Sequence, residues 1–468
     1  MTEPHRAPTR AVVIGGSLAG MLAAAAVRDS VESVEIVEAH ELPSGPEPRA
    51  GVPQAAHIHP LLSGGMDAIE ALLPGTADRL LAAGANRVPM TTNMVYYSPE
   101  GWYRRWQNST QYLIAASRDL IDSVLRSRIG EDPRIAFRSR TRVTGLLGGA
   151  DRVTGVRLRT PDGTESELAA RLVIDASGRS TRTPRWLTEL GVDGPAESRI
   201  DSGLAYASRI YRAPVCTRDW PVVNVPPDPR RPGAAGGIVP IEGNRWHVSL
   251  SGPPGMHPTR DPADFAAYAR GLRHPVVADL LAHAEPLTDV TVTHTTVNQR
   301  HHYERLRVWP EGLIALGDSV AAFNPVYGHG MSVAAQGALA LRRLTADSGL
   351  SQGLARRAQR AIARPVDVAW SLAVGQDIRY PATQGHRPTV ADRLLHRYVG
   401  RLSHTATGNF RVATALTDVL TLKAPPAGLV RPDVLLAAVI GPLRPRPSGP
   451  TFTEEERQRM RDAGIPLK

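Results

Sequence analysis

The chain has 468 residues, 42% of them hydrophobic and 21% charged, the balance of a globular protein able to bury a large core over two or three domains and not that of a disordered or membrane-embedded one. Its net charge of +10 rests almost wholly on arginines scattered along the chain, with Lys423 and Lys468 the only lysines; no basic run or nucleic-acid motif stands out, which speaks against a nucleic-acid partner and fits acidic small molecules or carrier proteins. Cys216 is the only cysteine, so an intramolecular disulfide and any multi-cysteine metal site are excluded, no metal is expected, and a reducing, cytoplasmic setting is the simplest reading.

Met1 to Arg10 is polar and reads as a frayed start, and the first strand begins by Ala11, which leaves no room for a cleavable leader. No apolar run reaches the roughly 18 residues of a membrane span. Ala11 to Ile14 is a short β-branched strand, followed by Gly15-Gly16-Ser17-Leu18-Ala19-Gly20 and a helical run from Met21 to Arg28. This is the strand, glycine turn and helix of a dinucleotide fold: Gly15 makes the tight turn and Gly20 lets the helix pack closely. Ser17 takes the place of the middle glycine, and its Cβ crowds a pyrophosphate slightly. The second strand, Val34 to Val37, ends at Glu38, 23 positions after Gly15. An acid at about that distance suits the ribose hydroxyls of an adenine dinucleotide; the competing account is a solvated strand-end glutamate.

Arg87 to Tyr112 carries Tyr96, Tyr97, Trp102, Tyr103 and Trp106, either a pocket wall or ordinary sheet packing. Ser117 is the N-cap candidate of a helix running through Leu125, and Arg118 at its start is placed to reach a phosphate or a ribityl chain. Leu172 to Asp175 is another strand, and its Asp175 and Gly178 fit a nucleotide edge. From Asp201 to Val297 the pattern changes to strands at Leu204–Tyr211, Gly237–Pro240 and Trp246–Ser251 between Pro/Gly-rich turns, read as an antiparallel substrate sheet inserted into the nucleotide domain.

Leu313 to Leu316 is a buried strand that opens onto Gly317-Asp318 and the loop from Phe323 to Met331, and Ser332 to Leu341 reads as a helix. Asp318 stands at the carboxyl edge of the sheet, where it can accept from the hydroxyls of a sugar-like chain. The backbone of Gly328, His329, Gly330 and Met331, after Pro325, offers a partly positive cradle for an electron-rich ring. With the two ends some 300 residues apart, FAD is the natural cofactor. After Leu341 the chain is helical and Arg-rich, and Lys423 to Pro450 reads as an irregular, Pro-rich tail.

The Gly317–Met331 stretch resembles the GD motif and PxxGxG loop of the flavin monooxygenases built like para-hydroxybenzoate hydroxylase, with Ala321 in the place of that motif's histidine. Arg49-Ala50-Gly51-Val52-Pro53-Gln54, His57 and His59, Leu72 to Ala85, Asp175 to Arg179, Arg300 to Asp318 and AAFNPVYGHGM together resemble the flavin epoxidases of polyether-antibiotic pathways, in order from Ala11 to about Asp377. The resemblance implies an α/β fold with a Rossmann-like FAD-binding domain (1–86, 113–200, 298–345), an inserted antiparallel substrate sheet (87–112, 201–297) and a helical C-terminal region with the Pro-rich tail (346–468). It also implies FAD held by residues that include Arg49 and Gln54. The activity implied is epoxidation of a polyene of polyketide type through a flavin C4a-hydroperoxide, for antibiotic biosynthesis.

Partners so implied are O₂, an apolar alkene substrate, free or on a carrier protein, and NAD(P)H or a separate flavin reductase. Phe323, Asn324, Pro325, Val326 and Tyr327 are the expected positioning residues beside the flavin, forming an apolar groove with no general base required. Aromatic hydroxylase, prenyl or alkene reductase and a non-catalytic flavin binder are the alternatives; a flavin halogenase fits less well, because no WxWxIP motif with its lysine is present.

Overall fold

The computed structural model describes residues 9–466 apart from 108, 229 and 232, so Met1 to Pro8 and Lys468 lie outside the described residues. Five parallel strands form the central sheet, in the order Leu313–Ala315, Leu172–Asp175, Arg10–Ile14, Ser33–Val37, Ile135–Arg138. Leu172–Asp175 and Leu313–Ala315 are wholly buried and Arg10–Ile14 nearly so, as a parallel sheet covered on both faces requires, whereas the edge strand Ile135–Arg138 is partly open. The register pairs Ile14 with both Val37 and Asp175, and Asp175 with Ala315. The glycine turn, Glu38, the turn after Asp175 and the Gly317-Asp318 turn therefore leave the sheet at one edge.

Helix Leu18–Val27 is apolar nearly all round and buried except at Ala19, which lines the cavity, with Gly20 at its contact with the first strand. Helix Arg118–Gly130 starts where Ser117 Oγ accepts from Leu120 N at 3.2 Å. Helices Gly330–Ser348 and Leu354–Asp377 close the other side with Ala-rich buried faces.

The inserted sheet has eight strands. Its centre is antiparallel: Ala205–Arg212 pairs Arg245–Gly252, which pairs Ala235–Ile241. It is not antiparallel throughout, because Val222–Val225 pairs Met94–Ser98 in parallel. The Arg87–Tyr112 segment is also split. Met94–Ser98 and Gly101–Trp102 join this sheet, whereas Asn86–Pro89 and Tyr112–Ala115 form a small separate sheet with Leu61–Leu62. Trp220, Trp246 and Phe265 fill the space between the large sheet and helices Pro262–Arg270 and Val276–Leu281.

The tail departs most from expectation. Within Lys423 to Pro450 the chain forms helix Pro432–Ile440, because Pro432 stands at the first helical position, where proline needs no amide partner. That helix packs on Val390–Ala406 and Phe410–Leu420 around Leu402, Ala406, Val412, Leu416, Val434 and Ala437, a cap with its own small core. A last helix, Glu454–Asp462, opens with a Thr453/Glu456 capping box and inserts Met460 into the core of the inserted sheet, alongside Phe452 and Ile465. Glu456 also takes a two-pronged ion pair from Arg105, at 2.5 and 2.9 Å.

Candidate active site

One long cavity of about 650 Å³ follows the carboxyl edge of the parallel sheet and turns under the inserted sheet. That is within the roughly 300–1,000 Å³ of ligand and cofactor clefts. Its first end is the glycine turn. Gly15 sits at φ +100°, in the left-handed region, and its amide donates to Val37 O at 2.8 Å. Glu38 is buried and accepts from Gly16 N at 2.8 Å and His40 N at 3.0 Å, which fixes its carboxylate over the turn. Arg49 reaches the same place, donating to Gly16 O at 3.1 Å, while its Nε is buried without a partner. Ser17 Oγ accepts from Arg118 at 2.8 Å, and Arg118 is held from behind by Asp122 at 2.8 Å. The serine in place of a glycine thus anchors the arginine that crosses the middle of the cavity.

Asp175 is placed differently from expectation. It is wholly buried and off the cavity wall. Its carboxylate accepts from Ser177 N at 2.9 Å, Ser177 Oγ at 2.5 Å, Thr183 Oγ1 at 2.6 Å and Thr181 Oγ1. Asp175 therefore shapes the turn whose Ala176, Ser177, Gly178 and Arg179 form the wall, and does not face the cavity itself. Ser319 ties this turn to the next by accepting from Gly178 N at 3.0 Å while donating to Asp175 at 3.3 Å. Gly20 and Gly317 are likewise packing positions off the wall: a Cβ on Gly317 would lie 2.8 Å from the Ala19 methyl.

At the far end Asp318 faces the cavity with no side-chain hydrogen bond to any described residue. Burial raises its pKa, opposed by the guanidinium groups of Arg179 and Arg118. Arg179 itself donates to Val297 O at 2.6 Å and Phe323 O at 3.1 Å, so it locks the loop to the carboxylate end. Gly328, at φ +66°, lets the chain pass Pro60, and helix Gly330–Ser348 begins just beyond it. Its first amides have no intrahelical partner and lie along the wall.

Of the expected positioning residues, Phe323, Asn324 and Pro325 line the cavity; Val326 and Tyr327 do not. Val326 is 42% exposed, and Tyr327 turns its hydroxyl to Asp377 at 2.5 Å. The reason is a buried polar network beneath the loop. Asp377 accepts from Asn298 Nδ2 at 2.5 Å and Asn324 Nδ2 at 3.3 Å, Asn324 N donates to Asn298 Oδ1 at 2.8 Å, and Tyr206 OH donates to Asn324 Oδ1. Of the two readings of the Arg87–Tyr112 aromatics, packing is the one observed, and none of them lines the cavity. Tyr97 and Trp102 meet His274 edge-on, and Tyr103 and Trp106 pack against the C-terminal cap.

Opposite the loop stand His57 and His59. His57 Nδ1 is 2.8 Å from Ser208 Oγ, and His59 Nδ1 is 2.7 Å from His57 O. Burial pushes the pKa of His57 down to about 4 and that of His59 to about 3, with Arg118 adding to the second. Both rings are neutral near pH 7. His329 on the helix start is lowered to about 4 by burial. Sequence reasoning missed Arg179, Ser319, Asp377 and Tyr206 as site-forming residues; only Arg179, directly after Gly178, carried a local signal. Among the described residues no cluster of His, Cys, Asp and Glu is arranged to hold a metal ion.

The residues fit FAD. Glu38 and Arg49, with its orphaned Nε, stand where the adenosine half belongs. Arg118 spans the middle, and the unpartnered Asp318 with the helix-start amides suits a ribityl chain and a ring edge. A parallel sheet with a glycine turn, joined by one cavity to a carboxylate and a helix start beneath an inserted sheet, defines a flavoprotein. The chain belongs to the FAD binding domain family, which its residues 8–348 match, and FAD is its cofactor.

Protein Rv3254 of Mycobacterium tuberculosis (strain ATCC 25618 / H37Rv) is 30% identical over 407 residues, spanning 83% of this chain and 85% of that protein. The fold is similar to that of p-nitrophenol 4-monooxygenase PnpA from Pseudomonas putida DLL-E4, with TM-score 0.61 and 15% identity over 88% of this chain and 98% of that one. It is similar too to the myxobacterial chondrochloren halogenase CndH, with TM-score 0.62 and 17% identity over 90% of this chain and 99% of that one.

Asp318→Ala removes the one carboxylate that faces the far end without a protein partner, and FAD affinity is expected to fall roughly 10- to 100-fold, the loss of a buried hydrogen bond of about 1–3 kcal/mol. Fluorescence titration of the flavin-stripped protein measures it. An unchanged Kd would remove Asp318 from the site.

Proposed function

We propose that the protein is an FAD-dependent monooxygenase that epoxidises carbon–carbon double bonds of an apolar polyene of polyketide type. The observation that carries this reading is the cavity wall between the histidine segment and the loop. Ile58, Pro60, Phe323 and Pro325 make it apolar, and burial keeps His57 and His59 without charge. An alkene has no proton to give up, so such a wall suffices if it holds the double bond still and excludes water. A phenol gains from a base close to its hydroxyl, and the histidines here are pushed away from that role.

Bound FAD, reduced by NAD(P)H or by a separate reductase, supplies the activation of O₂. One oxygen atom goes to the alkene and the other leaves as water, with two electrons from the reductant. The chain's part is to hold the ring edge on the helix-start amides, set Asp318 and Arg179 beside it, and position the alkene against Phe323 and Pro325. Aromatic hydroxylation, after the p-nitrophenol monooxygenase of similar fold, is the second reading. For a halogenase the sequence offers little: Lys423 pairs with Asp67 at 3.3 Å, away from the cavity.

The test is mass spectrometry of products from linear polyenes with reduced FAD and ¹⁸O₂: one labelled oxygen per epoxide is expected, and no phenolic hydroxyl. His57→Ala and His59→Ala, if they retain FAD, are expected to keep alkene oxidation within about tenfold of the wild type. The wild-type rate should show no break between about pH 6 and 8, because pKa values of about 4 and 3 leave both rings unprotonated throughout. Phenol hydroxylation with a pH profile that disappears in His57→Ala, and inert polyenes, would establish the hydroxylase instead.

A further inference from the structure

The exposed apolar surface is unevenly distributed. Among the described residues sixteen large hydrophobic side chains stand exposed, and eleven of them fall between Val390 and Leu443, in the C-terminal cap. Helix Pro432–Ile440 shows the arrangement. Val434, Ala437 and Ala438 turn into the cap core, while Leu435, Leu436, Val439 and Ile440 make an outward stripe at one helical face, continued by Leu443. Val439 is 77% and Leu443 70% exposed. On helix Val390–Ala406, Val390, Leu394 and Leu395 are more than half exposed, although Leu402 and Ala406 further along are buried.

Charge is concentrated in the same stretch. From Arg379 to Arg446 there are ten Lys and Arg against Asp392, Asp418 and Asp433, a net of seven positive charges out of ten for the whole chain. Arg411 and Arg431 share Asp433, each at 3.2 Å, and Arg401 donates to the Ala438 and Val439 carbonyls at 2.6 and 2.8 Å, at the end of the stripe. Arg393 and Arg397 stand exposed beside Leu394 and Leu395.

An apolar stripe with a cationic surround has a limited set of partners. A second copy seated on the same face would set exposed arginines such as Arg393 and Arg397 against their counterparts, a like-charge juxtaposition that opposes pairing. An interface for a folded protein is enriched in aromatic anchors, and only Phe410 among the eleven is aromatic.

We propose that this cap face seats on an anionic phospholipid surface. Its aliphatic stripe enters the headgroup–acyl boundary and its guanidinium groups meet the lipid phosphates. No helix among the described residues is long and apolar enough to cross a membrane, so the attachment is peripheral. It is independent of which substrate the site oxidises.

The experiment is co-sedimentation of the full-length, FAD-loaded protein with vesicles of phosphatidylglycerol and phosphatidylcholine, in parallel with phosphatidylcholine alone, together with sedimentation velocity in the absence of lipid. Binding is expected on the anionic vesicles, weakened by salt, and at least roughly tenfold weaker on the neutral ones. Leu436→Glu/Val439→Glu and Arg393→Glu/Arg397→Glu, changed only at exposed positions, are expected to cut binding by about tenfold or more with flavin absorbance and circular dichroism unchanged. Absence of binding to anionic vesicles, equal binding by both double variants and the wild type, or a wild-type dimer that Leu436→Glu/Val439→Glu converts to monomer would each overturn the proposal.

Discussion

Gly20→Ala is expected to abolish FAD retention. A Cβ at this position would stand 1.8 Å from the carbonyl oxygen of Gly15 and 3.3 Å from a Val13 methyl. The first obstacle is backbone, so it cannot rotate away. Helix Leu18–Val27 must then separate from the first strand, and the turn that carries Gly15, Gly16 and the Glu38 contact opens with it. Forced overpacking of a close-packed core costs about 1–3 kcal/mol even where side chains are free to move, and here they are not. The ratio of flavin to protein absorbance after purification measures the loss, with circular dichroism to show that the remaining fold survives. Gly375→Ala serves as the control, since an added Cβ there meets nothing within 4 Å. Wild-type flavin content in Gly20→Ala would refute the packing argument.

Asp377→Ala is expected to lower turnover by roughly 100-fold while FAD stays bound. Asp377 lies at the end of helix Leu354–Asp377 and touches no wall of the cavity, yet Asn298, Asn324 and Tyr327 all donate to it. Removing the shared acceptor leaves those donors buried and unpaired, at about 1–3 kcal/mol each, so the loop Phe323–Tyr327 must rearrange to find new partners. A displacement of about 1 Å in a positioning loop is enough for a loss of that size. Asp377→Asn keeps the shape but turns an amide donor toward groups that already donate, and an intermediate loss is expected. A positioning role is separated from a merely structural one by coupling: the variants should consume O₂ without forming an equal amount of oxygenated product. Wild-type turnover with full coupling in Asp377→Ala would dismiss the network from the site.

The parts of the site that were legible in the sequence are those in which one residue and its immediate neighbours decide the structure. A glycine at positive φ, a β-branched strand feeding a glycine turn, a serine that caps its own helix and an acid at the end of a strand are local, and Gly15, Ser117, Glu38 and Asp318 all stand where the pattern set them. The parallel sheet follows from the same strands, because buried runs joined by helices have few other ways to pair.

Direction of a side chain in space is not local. The sequence marked Asp175, Val326 and Tyr327 as facing the ligand, but the hydroxyls of Ser177, Thr181 and Thr183 draw Asp175 inward, and Asp377, 50 positions after Tyr327, draws its hydroxyl away from the cavity. The Pro-rich tail was misread for a related reason. Proline forbids the interior of a helix but not its first turn, and the cap core that makes helix Pro432–Ile440 worthwhile comes from Leu402 and Val412, which lie in other helices. Motif order and spacing pointed to FAD; burial, which depends on partners far away in the chain, decided which of its polar groups face the cavity and which hold the loop behind it.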